Sequence, residues 1–237
     1  MINQINIALQ FPLGAHFSHV PEIDAWKAVF RFIHELSCFQ TDQKCSQCSQ
    51  NLNCRYFLIS GQNFEGYPCL TAKIDLFSER FIKPEDILHL TFYAVGDLNV
   101  CVQFVQLFFE SSNRLCGHEF LCKNVEVIPI DAEPIAVRNL QIQTPIETND
   151  VISVYNEMVL WYNHHYGCSF PFSFGHCQFQ TLKMSSEKIK TGTKTLIMDG
   201  VVGTFQFDPP VMLDQTLLKV GIGKWNGIGG GHCAVKN

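Results

Sequence analysis

The chain has 237 residues, of which 46% are hydrophobic and only 16% charged, so it carries enough apolar surface to fold and intrinsic disorder is excluded. A net charge of −5 excludes a protein coated in basic surface, and any contact with nucleic acid needs a local patch of lysine and arginine. No apolar run reaches the roughly 20 residues of a membrane-spanning helix, and the start Met1-Ile2-Asn3-Gln4 lacks the marks of a signal peptide, so a cytoplasmic location is expected. In that reducing compartment 11 cysteines, an odd number, point to thiols or metal ligands rather than to a disulfide framework.

In chain order, Ile5, Ile7, Leu9 and Phe11 alternate with polar or small residues and predict a half-buried strand over 5–11. A loop follows at Pro12-Leu13-Gly14. Trp26, Val29, Phe30, Ile33 and Leu36 then recur at helical spacing, predicting an amphipathic helix over 24–36 with Asp24 as N-cap. After a cysteine segment at 38–54, residues 67–77 and 87–95 read as strands, 99–111 as a second helix and 120–130 as a closing strand. The stretch Pro129-Ile130-Asp131-Ala132-Glu133-Pro134 reads as a linker. The second half follows the same logic: a strand at 137–143, a helix at 150–165, strands within 178–183 and 195–207, and a last pair of strands near 217–220 and 233–236. The β-α-β-β-α-β order predicts an α+β protein of two tandem ferredoxin-like (RRM-like) domains with antiparallel sheets, 1–130 and 135–237.

Cys38, Cys45, Cys48 and Cys54 fall in one 17-residue stretch as C-x6-C-x2-C-x5-C. Four thiolates complete a tetrahedral shell suited to zinc or to an iron–sulfur cluster, and a closed shell leaves no position for water, so such a site is structural. The intervening residues are polar and turn-prone, so a metal would supply the core that the loop lacks. Ordinary unligated thiols are the alternative.

The chain ends in a glycine-rich run, with six glycines between Gly221 and Gly231 and with Lys224 and Trp225 among them. Glycines allow close backbone approach and leave amides free for phosphate oxygens, while Lys224 adds charge and Trp225 a stacking face. The run opens no helix and lacks a Gly-Lys-Ser/Thr ending, which excludes both the dinucleotide fingerprint and the P-loop. A flexible glycine hairpin is the plainer reading.

Together, Gly221-Ile222-Gly223-Lys224 with Gly229-Gly230-Gly231 before a final strand, and Cys38…Cys45-Ser46-Gln47-Cys48…Cys54-Arg55-Tyr56 after a first helix, resemble the CRISPR repeat-processing endoribonucleases of the RAMP superfamily. The cysteine segment is similar to an insertion in one branch of that family, and Asn139 to Pro145 resembles the Thr-Pro that begins its second domain. The resemblance implies binding of a CRISPR repeat transcript and one metal-independent cut by the 2′-hydroxyl, leaving a 2′,3′-cyclic phosphate. Zinc, or an iron–sulfur cluster, would then be structural, with no cofactor for catalysis and no membrane or DNA partner.

Such chemistry needs a base, an acid and cations around the phosphorane. The family places its base on or just before the first helix, where this chain has His16, His19 and His34. Lys27, Arg31 and His34 stand at i, i+4 and i+7, so one helix face presents two cations and an imidazole. The alternative is a solvated helix face. No Tyr-His-Lys arrangement of the kind some members use is present. His164 and His165, beside Tyr162 and Tyr166, are a second-domain alternative. RNA contacts are expected from Lys27, Arg31, Gly223, Lys224, Trp225, Gly229 and Gly231, supported by Lys183, Lys188, Lys190 and Lys194 in a polar loop and by Lys219 and Lys236. Two other functions fit the same residues: a non-catalytic RAMP subunit holding guide RNA with other CRISPR effector subunits, and a cysteine-metal interaction module. No His-Glu-x-x-His or similar open metal site supports a metal-assisted hydrolase.

Overall fold

The computed structural model describes residues 2–18, 20–38, 43–74, 80–96, 99–175, 177–191 and 194–236. The chain divides into two compact units, one of Asn3–Ala94 and Leu98–Pro129, the other of Ile130–Asn237 with Val95–Asp97 and Met1–Ile2.

The first unit runs β1 (Ile2–Gln10), β2 (Ala15–Phe17), α1 (Pro21–Ser37), α2 (Arg55–Ile59), α3 (Gly61–Phe64), β3 (Leu70–Ala72), β4 (Arg80–Ile82), β5 (Ile87–Val95), α4 (Asn99–Ser111), β6 (Arg114–Leu115), β7 (His118–Glu119) and β8 (Leu121–Ile130). Its main sheet has the order β3-β5-β1-β8, while β2 pairs with β4 and β6 with β7. The alternation in β1 does what a period of two dictates: Ile5, Ile7 and Leu9 are buried, and Gln4 and Asn6 line the other face and hydrogen-bond to each other. Helix α1 buries Ile23, Trp26, Val29, Phe30 and Ile33, and the Trp26 indole donates to the Leu70 carbonyl at 2.8 Å, fixing the helix to β3.

The helix starts at Pro21, earlier than the expected Asp24. Proline at the first helical position lacks only an amide that would be unsatisfied anyway, so Val20 caps without a side-chain bond and Asp24 lies inside the first turn. Of the strand expected at 67–77, only Leu70–Ala72 is β, and residues 75–77 lie outside the described residues. Before it, Gln62, Asn63 and Phe64 all take positive φ, at 57°, 61° and 69°. That left-handed turn is held by the Ser60 hydroxyl, which accepts from the Asn63 amide at 2.8 Å, and it brings Phe64 against Trp26 and Phe30.

The second unit runs β9 (Pro134–Ile146), α5 (Val151–Tyr166), β10 (Cys177–Thr191), β11 (Lys194–Asp214), α6 (Gln215–Val220) and β12 (Cys233–Lys236). Its sheet has the order β10-β11-β9-β12, and every pairing is antiparallel. In each main sheet the strands therefore stand in the same sequence-relative order: second, third, first, fourth.

Two expectations are corrected here. Residues 217–220 form the end of a helix, because the buried Asp214 carboxylate accepts from the Thr216 and Leu217 amides at 2.9 and 3.2 Å and so caps α6, burying Leu217, Leu218 and Val220 together. The lysine-bearing stretch is not a loop. Lys183 and Lys188 stand on β10, which pairs with β11 out to Thr191 and Lys194, whereas β9 stops pairing with β11 at Val201. Lys183 and Lys188 are both exposed and, standing at an odd offset along the strand, project from opposite faces of this ribbon. The side chains of Lys190 and Lys194 lie outside what the structure describes.

Candidate functional site

Helix α1 carries Lys27, Arg31 and His34 as expected, and Arg31 and His34 meet different neighbours. His34 meets the Tyr56 ring edge-on, with centroids 4.7 Å apart, and its carbonyl accepts the Cys38 amide at 2.8 Å, so this imidazole belongs to the edge of the cysteine segment. Arg31 instead lies with Asp24 near Cys116. Burial and then the charge and hydrogen bond of Asp24 push the Cys116 thiol up to about 12, against the opposing pull of Arg31.

His16 sits in the middle of β2, directly opposite Phe81 of β4, and the two rings stack at 4.2 Å with planes 6° apart. Its carbonyl accepts His118 Nε2 at 3.0 Å, and Phe17 meets the His118 ring edge-on at 5.4 Å. A carbonyl can only accept, so His118 Nε2 is the donor in this bond. His118 was missed in the sequence because it depends on a turn at Cys116-Gly117, where both residues have positive φ, 50° and 85°, and a cysteine is not the residue that signals such a turn. His19 lies outside the described residues. At the end of α5, His165 packs on Trp161 at 4.2 Å, and burial followed by the neighbouring His164 lowers its pKa below 6.5.

The cysteine segment folds as two tight turns. Cys48 N donates to Cys45 O at 3.2 Å and Cys54 N to Asn51 O at 3.1 Å, and all four thiols are half-buried. Burial raises the Cys45 pKa first, and the charges of Cys38, Cys54 and Cys48 raise it further. Tyr56 reaches about 12 by burial and by Cys45, Cys54 and Cys38. The thiols are thus close enough to repel as thiolates, although among the described residues no three His, Cys, Asp or Glu side chains converge tightly enough to enclose an ion.

The glycine run is built into the second unit. Ile222 N donates to Gly231 O at 3.0 Å, Gly231 N to Pro145 O at 3.2 Å and Gly230 N to Trp225 O at 2.8 Å. Thr144 Oγ1 donates to Gly229 O at 2.8 Å and accepts from His232 N at 2.7 Å, so the Thr-Pro of β9 and the glycine run hold each other. Asn226, fully buried, donates to the Tyr162 hydroxyl at 2.8 Å. Gly229 and Gly231 are buried, Trp225 is half-buried and Lys224 is exposed. The Lys224 amide donates to the Glu147 carboxylate at 3.2 and 3.3 Å, and its ammonium stands 3.9 Å from Glu157. The expected RNA residues of this run therefore divide into buried glycines that shape it and Lys224 and Trp225 at its surface.

No family model matches the chain, and no curated protein matches its sequence. Solved structures do match. A CRISPR-associated protein Cas6 aligns with a TM-score of 0.54 at 13% identity over 100% of both chains. A RAMP protein binding different RNA substrates aligns at 0.55 and 11% identity, over 99% of this chain and 100% of that one. A Cas6 product complex aligns at 0.54 and 11% identity, over 100% of this chain and 99% of that one. Over its whole length the chain has the mixed α+β, antiparallel-sheet fold of the Cas6 and RAMP proteins. No helix among the described residues is long and apolar enough to cross a membrane.

Proposed function

We propose that this chain is an endoribonuclease that cuts CRISPR precursor RNA once within the repeat to release guide RNAs. The observation that carries the reading is the full-length fold match to Cas6 and RAMP structures, one of them a product complex and another a protein binding RNA substrates. The common strand order of the two sheets supports two tandem ferredoxin-like domains, 1–130 and 135–237.

Cleavage uses the neighbouring 2′-hydroxyl as nucleophile and leaves a 2′,3′-cyclic phosphate without a catalytic metal. The base is His34, His16 or His19, the last of which lies outside the described residues. His16 offers the more exposed imidazole, and His34 has the cations Lys27 and Arg31 on its own helix. Those cations neutralise the phosphorane. Lys224 and Trp225 meet the RNA at the rim of the glycine run, and Gly223, Gly229 and Gly231 give the run its shape.

The cysteine segment is read as the structural metal insertion of one branch of the family. The donor set suits zinc, with an iron–sulfur cluster as the alternative, because a soft-ligand cation relieves the burial and the neighbouring thiol charges that raise the Cys45 pKa. Cys38, Cys45, Cys48 and Cys54 would hold the ion, which would supply a core to the turns. Metal analysis of purified protein tests this: about one zinc per chain, lost in Cys45→Ser/Cys48→Ser, is expected, and metal-free folded protein would contradict it.

The function is tested with a labelled repeat RNA and the variants His16→Ala and His34→Ala. A single cut in the wild type and its loss in one variant are expected. Tight binding without any cut would instead fit a subunit that holds guide RNA.

A further inference from the structure

Strand alternation in the β2–β4 ribbon sorts its side chains cleanly. Ala15 and Phe17 point into the core, and Arg80 is drawn to the buried Glu22 by an ion pair at 2.6 Å. The cross-strand pair His16 and Phe81 is left facing outward. Phe81 is 73% exposed, although a folding chain gains by burying such a ring. The two rings do not collapse edge-on, as most aromatic pairs here do, but lie parallel, 4.2 Å apart and within 6°. A flat, solvent-facing stack only two rings wide, bordered by a polar imidazole edge and followed on the ribbon by exposed Lys83, suits a planar ring carrying a phosphate better than it suits the broad apolar face of a protein.

We propose that His16 and Phe81 form a stacking platform for one unpaired nucleobase of the RNA, the base continuing the stack on the open face of the pair. The proposal rests on the RNA reading above. It leaves the imidazole edge of His16 free for proton transfer, and it assigns to Phe81 a binding role that no helix or glycine motif of the sequence indicates.

The test is titration of the full-length protein with a single-stranded repeat RNA carrying 2-aminopurine at successive unpaired positions, comparing wild type with Phe81→Ala, Phe81→Leu and Phe81→Trp. Stacking is worth on the order of 5- to 150-fold in affinity per base, so Phe81→Ala should weaken binding by about that factor and abolish quenching at one position. Phe81→Trp should restore both, and Phe81→Leu, apolar but not flat, should restore neither. Thermal melts of the variants separate loss of folding from loss of the platform. Wild-type binding that is unchanged in Phe81→Ala, or retained in Phe81→Leu, overturns the platform and leaves the RNA reading standing. Absence of RNA binding by the wild type overturns both.

Discussion

Substitution of Gly231 by alanine separates a glycine run that is structural scaffold from one that is simply a ligand loop. Gly231 has φ of +64°, donates to Pro145 O at 3.2 Å and accepts from Ile222 N at 3.0 Å. A Cβ at this position would overlap the Ile222 carbonyl, which is backbone and cannot swing aside. The left-handed conformation costs a residue with a Cβ about 1–2 kcal/mol. Moving apart to relieve the overlap loses two hydrogen bonds worth about 1 kcal/mol each. Gly231→Ala should therefore destabilise by about 3–4 kcal/mol, and at roughly 2–4 °C per kcal/mol for a chain of this size the midpoint should fall by about 6–16 °C. Gly117→Ala is the control. Gly117 has φ of +85° with nothing within 4 Å of a new Cβ, so only the conformational cost of about 1–2 kcal/mol applies. Thermal and urea unfolding followed by circular dichroism measure both. A Gly231→Ala protein that melts within about 2 °C of wild type, or no lower than Gly117→Ala, would refute the reasoning.

Three further outcomes follow from the same geometry. Tyr162→Phe removes the oxygen that accepts from buried Asn226 and should cost about 1–2 kcal/mol in urea unfolding. Glu22→Ala leaves Arg80 without its carboxylate; because the Arg80 side chain keeps 25% exposure and can rehydrate, the loss should be about 1–3 kcal/mol, below that of a wholly buried pair, and Glu22→Gln should lose less. His165 is held neutral by burial and by His164, so its contribution to stability is complete above the ordinary value of 6.5 and is lost as pH falls below 6.5 through the lowered folded value. An NMR pH titration should show His165 titrating below 6.5, and His164→Gln should move it upward.

The elements with strong periodicity were legible in the sequence. The alternation of β1 and the apolar stripe of α1 locate those elements because burial on one face imposes the pattern, and α4 falls at the residues expected for it. The helix α6 was not legible as one: its apolar run is short enough to read as a strand, and the deciding signal is the capping Asp214 immediately before it. The lysine-bearing stretch between the two expected strands reads as a polar loop because, past the end of β9 and among the described residues, the β10–β11 ribbon pairs with no third strand that would bury one of its faces. At the candidate site, local sequence spacing correctly placed Lys27, Arg31 and His34 on one helix and grouped the cysteines. The neighbours that give them meaning, Tyr56 against His34, His118 against His16 and Glu147 at Lys224, come from residues 22 to 102 positions away, and no short-range pattern encodes such contacts.

The most direct test of the central claim is incubation of the purified protein with a CRISPR repeat RNA in excess EDTA, with the product ends analysed. One cut at a fixed position, leaving a 2′,3′-cyclic phosphate on the upstream fragment and a 5′-hydroxyl on the other, is the predicted result. An intact RNA under these conditions with protein that retains its zinc, or cleavage that appears only when magnesium or manganese is restored, would contradict it.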